Sequence, residues 1–347
     1  MNASRRGTTS GTGTATNMNA EADTGARRSA PRASRAGVIA LAVAVGMAVA
    51  GPWFGPFAAD LAVKMMILSI FALSLQLLVG LTGLVSLGHA AFLGIGAYAA
   101  ARLSLADGEA SIPTLMGAAV GAAALAALVI GALSLRARGV YFIMVTLAFA
   151  QMAFFIVHDT PVGGGSDGLY LYNRPSWGPI DMENRLHGYY LVLASLVIAY
   201  ALLALIERSR FGAALAGIRV NEQRMRAAGF GTYGYKLAAF VIAGGLAGLA
   251  GFLIASRDAA VNPELLSWHE SGAVLLMIIL GGIGHLRGAV IGATAFVLLK
   301  EFYATEALVG RVLAEHWQLT LGFTIIAFVA LLPKGLIGLP QRWRKAQ

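Results

Sequence analysis

Long apolar runs broken by short polar or glycine-rich stretches set the pattern of this chain. Runs near 38–53, 61–81, 84–104, 112–135, 139–158, 188–206, 236–256, 271–284, 287–304 and 318–333 predict ten membrane-crossing helices, because about 20 apolar residues in helical geometry span a ~30 Å hydrocarbon core. The apolar run from Ser271 to Leu299 exceeds one ordinary crossing, and Gly281, Gly282, Gly284, Arg287 and Gly288 interrupt it. That break predicts two helices joined by a tight turn. Residues 1–36, rich in Ser, Thr, Ala, Gly and Arg, lack the large apolar side chains needed to fold. They read as a disordered cytoplasmic tail that holds the first helix in orientation, although an Arg-rich, acid-poor run also resembles a transit peptide. The predicted membrane-spanning body occupies 37–335, and 336–347 form a second cytoplasmic tail.

Composition turns the pattern into a fold class. Hydrophobic residues make up 58% of the chain and charged ones 12%, against about 25% charged in soluble domains. The chain is therefore expected to be an all-α integral membrane protein. Its 43 glycines suit close approach of membrane helices. Cysteine is absent, which excludes disulfides, thiolate metal sites and cysteine nucleophiles.

The net charge of +9 lies between apolar runs and at the chain ends. No basic face with interleaved aromatics appears, so nucleic acid is not the expected partner. With a cytoplasmic N-terminus and ten crossings, 19 of the 26 Lys and Arg fall inside, as the positive-inside rule requires. The loop 159–187 then faces outward with Asp159, Asp167, Asp181 and Glu183 against Arg174 and Arg185.

Candidate chemistry is sparse. No Gly-x-x-x-x-Gly-Lys-Ser/Thr run is present to cradle phosphates, and Gly281-Gly282-x-Gly284 has no βαβ unit around it. The run Gly163-Gly164-Gly165-Ser166-Asp167-Gly168 reads as a flexible turn. Lys64, with Asp60 four residues before it, reads as a paired, snorkelling lysine near a span end; Arg102, Arg257 and Lys300 also fall near ends. His89 alone lies well inside an apolar segment, and without a second ligand it reads as a hydrogen-bonded packing residue rather than a metal site. No catalytic group, metal or cofactor is expected. The glycines and polar groups of 82–98 nevertheless favour irregular backbone lining a cavity away from lipid.

One basic stretch stands out between apolar runs, from Glu207 to Lys236. Ala213, Ala214 and Ala216 favour a helix, Gly212 and Gly229 punctuate it, and Phe211, Leu215 and Ile218 form an apolar stripe at spacings of four and three. Such a helix could dock on a protein outside the membrane, or lie on anionic membrane lipid through its arginines.

Several runs together carry a family resemblance: Gly80-Leu-Thr-Gly83-Leu-Val-Ser86-Leu-Gly88-His89-Ala-Ala-Phe92-Leu-Gly94-Ile-Gly96-Ala-Tyr98, then Arg138-Gly-Val-Tyr-Phe-Ile-Met-Val-Thr146-Leu-Ala, Gly164-Gly165-Ser-Asp167-Gly168-Leu169 and Gly281-Gly282-Ile-Gly284. Over about 60–335 the chain resembles the branched-chain amino acid permeases of bacterial ABC importers, and within them the LivM-type subunit. The resemblance implies a multi-pass protein of the bacterial inner membrane with both termini cytoplasmic. It also implies a second homologous permease subunit, ABC ATPase subunits that hydrolyse the ATP, and an extracytoplasmic solute-binding protein. On that basis the loop 207–235 is the ATPase-coupling element, with Phe211, Gly212, Ala216, Ile218, Arg219, Asn221 and Gly229 as its candidate residues. Ser86, His89 and Thr146 are candidates for the substrate pathway. The implied cargo is a branched-chain, aliphatic amino acid; similar permeases carry urea, short amides or other amino acids. A channel or facilitator independent of ATP is the rival that needs no coupling loop, and an ion-coupled carrier would need an intramembrane acid.

Overall fold

Pro56 opens the first long helix of the computed structural model, at a position where its missing N–H costs nothing. The structure describes Gly46, Ala50, Trp53 and residues 55–107, 111–171, 174–178, 180–305, 315–332 and 335–338. The predicted tail over 1–36, most of the predicted span at 38–53 and the predicted tail beyond Gly338 lie outside the described residues.

Helix α1, Pro56–Gln76, runs on as a π-helical turn over Leu77–Thr82 and stops at Gly83, whose φ of 73° suits glycine. Residues 83–88 are irregular, and α2, His89–Asp107, starts after them. Then come α3 (Ile112–Ser134), α4 (Val140–Asp159), α5 (Arg185–Arg208), α6 (Arg210–Val220), α7 (Glu222–Ala227) and α8 (Thr232–Asp258). Helices α9 (Trp268–Gly281), α10 (Leu286–Ala304) and α11 (Trp317–Leu331) complete the described series. The all-α membrane fold expected from composition is what the chain adopts.

Nine of the ten predicted segments correspond to helices; the predicted start at 84 gives way to irregular backbone up to His89. Among the described residues six spans are long and apolar enough to cross a membrane singly: α1 with its π turn, α3, α4, α5, α8 and Trp317–Gly338, which begins with α11. The predicted pair of crossings at 271–284 and 287–304 is instead α9 and α10 bent by 114° at their junction, a geometry of a broken span or a re-entrant loop. The 14 residues of α9 reach only about 21 Å at 1.5 Å per residue, short of a full crossing. Helix α2 falls outside the six, yet Ala90, Ala91, Phe92, Leu93, Ala97, Ala100 and Ala101 are buried along it. A helix wrapped by protein needs no lipid-soluble surface.

The core is a seam of small residues. Ala119, Ala123, Ala127 and Gly131 recur every fourth position on α3, so they form one stripe. Gly244, Gly248 and Gly251 of α8 press into that stripe and into α2. A Cβ on Gly248 would sit 2.4 Å from Ala123 Cβ, one on Gly251 2.0 Å from the Leu93 carbonyl oxygen, and one on Gly96 2.5 Å from Gly248 Cα. Backbones this close gain dispersion contacts that larger side chains would forbid.

At the end of the bundle holding Pro56 and Asp258, short strands tie the connections down. Strand β1 (Leu169–Tyr170) pairs antiparallel with β4 (Ala260–Val261), and β2 (Ser176–Trp177) with β3 (Ile180–Asp181). Beneath them Leu171, Val261 and Leu266 pack on Ala97, Tyr98, Ala101 and Ala255. Two sequence expectations are corrected here. The glycine run at 163–168 is a pinned segment rather than a flexible turn. Gly164, Gly165 and Gly168 hold φ of 77°, 69° and 74°, and a Cβ on Gly168 would lie 2.0 Å from the Val261 carbonyl oxygen. Asp60 is taken by Arg257 of α8, at 3.1 Å from Nε and 2.6 Å from Nη2, rather than by Lys64. The planar guanidinium matches both carboxylate oxygens where an ammonium offers a point charge.

Candidate functional site

The irregular backbone ahead of α2 is held by polar side chains inside the protein. His89 Nε2 lies 2.8 Å from Ser74 Oγ, and that hydroxyl donates to the Phe71 carbonyl at 2.7 Å. With the hydroxyl proton so placed, the imidazole is the donor to Ser74, so the proton sits on Nε2. The ring stacks on Phe71 at 5.5 Å and meets the edge of Phe92 at 5.8 Å. Ser86 Oγ accepts from the Gly88 N–H at 3.3 Å, and Ser271 Oγ of α9 accepts from the Ala90 N–H at 2.9 Å. Thr146 of α4 lies against Gly88, where a Cβ would come within 2.2 Å of its carbonyl oxygen. Thus Ser86, His89 and Thr146 are brought together around Gly88, all three at 1% exposure or less. As they stand they are interior contacts, and His89 makes the hydrogen-bonded packing its sequence setting suggested.

A second polar junction forms where helices end. After Thr82 the chain leaves the π turn, and both Gly83 and Leu84 direct their N–H groups to the Leu78 carbonyl. The Gly80 carbonyl accepts from Arg219 Nη1 of α6. Gln76, in the preceding turn, faces the α9–α10 connection. With its amide oxygen toward that turn it accepts from the Gly284 N–H at 2.6 Å and the His285 N–H at 2.8 Å, the orientation that satisfies both partners. Gly282 and Gly284 supply the turn's positive φ of 119° and 90°.

Helix α6 begins at Ser209, whose Oγ accepts from the Gly212 N–H at 3.2 Å as an N-cap. Gly212 lies on the end of α5, where a Cβ would be 2.2 Å from the Ile206 carbonyl oxygen. Ala214, Leu215 and Ile218 are buried, and α6 packs on the π turn and on α8. Phe211, half-buried, stacks on Tyr235 of α8 at 5.6 Å. The stripe of Phe211, Leu215 and Ile218 is therefore covered by the chain itself, which corrects its expected availability to a partner. Helix α6 turns Ala213, Ala216 and Val220 outward instead, Val220 with 85% exposure.

The remaining coupling candidates shape the segment between α6 and α8. Asn221 caps α7, its Oδ1 accepting from the Arg224 N–H at 2.9 Å, and Gly229 leaves α7 with φ of 86°. Glu222 holds α7 to α8 by an ion pair with Lys236 at 2.9 Å and by accepting from Thr232 Oγ1 at 3.1 Å, and within α7 it pairs with Arg226 at 2.6 Å. Burial pushes the Glu222 carboxyl up, but the hydrogen bond and charge of Lys236, with the hydrogen bonds of Arg226 and Thr232, outweigh it and leave it below the usual carboxylate range. Ser74, Gln76 and Ser271 were not singled out by sequence, although polar side chains inside an apolar run are themselves a signal.

The sequence profile of the family described as "Branched-chain amino acid transport system / permease component" matches residues 57–330. The chain is 30% identical over 302 residues to the high-affinity branched-chain amino acid transport system permease protein LivM of Escherichia coli, covering 80% of this chain and 69% of that protein. Its counterpart in Salmonella typhimurium matches with the same identity and coverage. No solved structure matches the chain significantly. Membrane-spanning helices in these numbers, the profile over most of the chain and the two relatives agree: this chain belongs to the family of branched-chain amino acid transport system permease components.

Proposed function

We propose that this chain is a membrane subunit of an ATP-driven importer and passes branched-chain, aliphatic amino acids across the bacterial inner membrane. The observation that carries the reading is the α6–α7 unit: it is held rigidly by its own chain while Ala213, Ala216 and Val220 face outward at the end of a bundle that belongs to a permease-component family. In this reading ATPase subunits seat on that outward face and supply the energy, a second homologous permease completes the pathway, and a solute-binding protein delivers cargo to the opposite end. The basic loops and both termini lie in the cytoplasm. Ser86, His89 and Thr146 form the polar wall of the pathway and reach solute when residues 83–88 part from α4.

Uptake of leucine by the complex, purified with its own partners and reconstituted in vesicles, tests the proposal. ATP should drive uptake, and Ala216→Glu should release the ATPase subunits while the permease still inserts. Gly212 is unsuited to that test, since any side chain there strikes the Ile206 carbonyl. Urea uptake without leucine uptake would refute the cargo, and a firmly bound ATPase in Ala216→Glu would refute the docking face. Orientation is read separately: an impermeant thiol reagent on intact cells should label Asp181→Cys and spare Gln223→Cys, and the reverse would invert the topology.

A further inference from the structure

Two interruptions of helical hydrogen bonding meet in one place. The π turn ends α1 with a carbonyl, that of Gly80, which a side chain completes. The α9–α10 turn presents the N–H groups of Gly284 and His285, which Gln76 of α1 receives. Backbone approaches backbone as well, since a Cβ on Gly80 would lie 3.3 Å from Gly284 Cα. Arg219 of α6 closes the group: its Cγ would be 3.2 Å from a Cβ on Gly83, and its Nη1 3.7 Å from one on Gly284.

We infer that Arg219 is a positioning residue that locks α6 to the broken end of α1 and, through Gln76, to the α9–α10 turn, so that a displacement of α6 reaches both breaks together. The inference rests on the reading of α6 as the element a partner ATPase holds. The chemistry suits a latch. The carbonyl end of a helix carries partial negative charge, and a guanidinium there makes a charge-assisted hydrogen bond. Arg226, on α7, is engaged with Glu222 instead, whereas Arg219 reaches from α6 to the Gly80 carbonyl. A continuous helix would resist being moved at one end. Backbone already broken at 83–88 and at 282–285 can shift by changing a few dihedrals, provided that something pulls both breaks at once.

The experiment uses the complex purified with its own partners and exploits the absence of cysteine in the chain. Spin labels at Arg210→Cys on α6, outside the face assigned to the ATPase, and Ile283→Cys in the turn, both exposed positions, report the separation of the two elements. ATP hydrolysis and leucine uptake are followed on the same preparation. Arg219→Met should broaden the distance distribution and lower uptake per ATP hydrolysed about tenfold, the scale of one lost hydrogen bond to a charged group, with hydrolysis retained. Arg219→Lys should recover part of both readouts. Gln76→Leu, which breaks the junction without touching α6, should uncouple in the same way and decides the matter if the Arg219→Met complex does not assemble. An unchanged distance distribution in these variants, or a normal ratio of uptake to hydrolysis, overturns the latch. Failure of the docking face shows separately, as ATPase retained by Ala216→Glu.

Discussion

The small-residue seam of α2, α3 and α8 and the junction of α1, α6 and the α9–α10 turn solve the same problem by opposite means. In the seam the helices are unbroken, their backbone groups are satisfied within each helix, and adhesion comes from close approach at Gly96, Gly244, Gly248 and Gly251. At the junction helices end inside the protein, and Gln76 and Arg219 must complete what the helical ladder leaves open. A dry, tightly packed contact tolerates no intermediate arrangement. Hydrogen bonds from long side chains can be exchanged one at a time. The contrast separates a scaffold from a part able to rearrange.

The sharpest way to break this comparison is to fill the seam. Gly248→Leu sets its side chain against Ala123 Cβ and the Ala119 carbonyl oxygen, so it should cost about 3 kcal/mol or more and leave little monodisperse protein on size exclusion. A variant that melts with the wild type would show that the seam can open. A smaller effect is expected at the junction. Gln76→Leu leaves the Gly284 and His285 N–H groups without their acceptor, a loss of about 2 kcal/mol. Amide exchange over 282–288 should quicken while α3 and α8 stay protected; uniform quickening would mean that the two regions are one cooperative unit.

The mildest probe is pH. Because the Glu222 carboxyl is held below its ordinary value, its contribution is complete above the unfolded pKa of about 4.3 and is lost as pH falls through the folded value. Amide protection over 222–228, taken relative to the intrinsic exchange rate at each pH, should therefore fall on acidification below that point, and Glu222→Gln should abolish that fall. A pH response that survives in Glu222→Gln would place the titrating group elsewhere.

Sequence alone determined the class of molecule, the positions of most helices and the break between α9 and α10, because hydropathy and glycine act locally along the chain. The family was legible too, in runs such as Gly83 to Tyr98 that keep their order. Which groups pair was decided by tertiary structure. Asp60 met Arg257, 197 residues away, instead of its helical neighbour Lys64, and Arg219 donated to a carbonyl 139 residues away. The stripe of Phe211, Leu215 and Ile218 is amphipathic in any setting; only the packed fold decides whether a partner or the chain itself covers it. Periodicity states that a face is apolar, whereas the neighbour that buries it is fixed by contacts distant in sequence, to which a local pattern carries no reference.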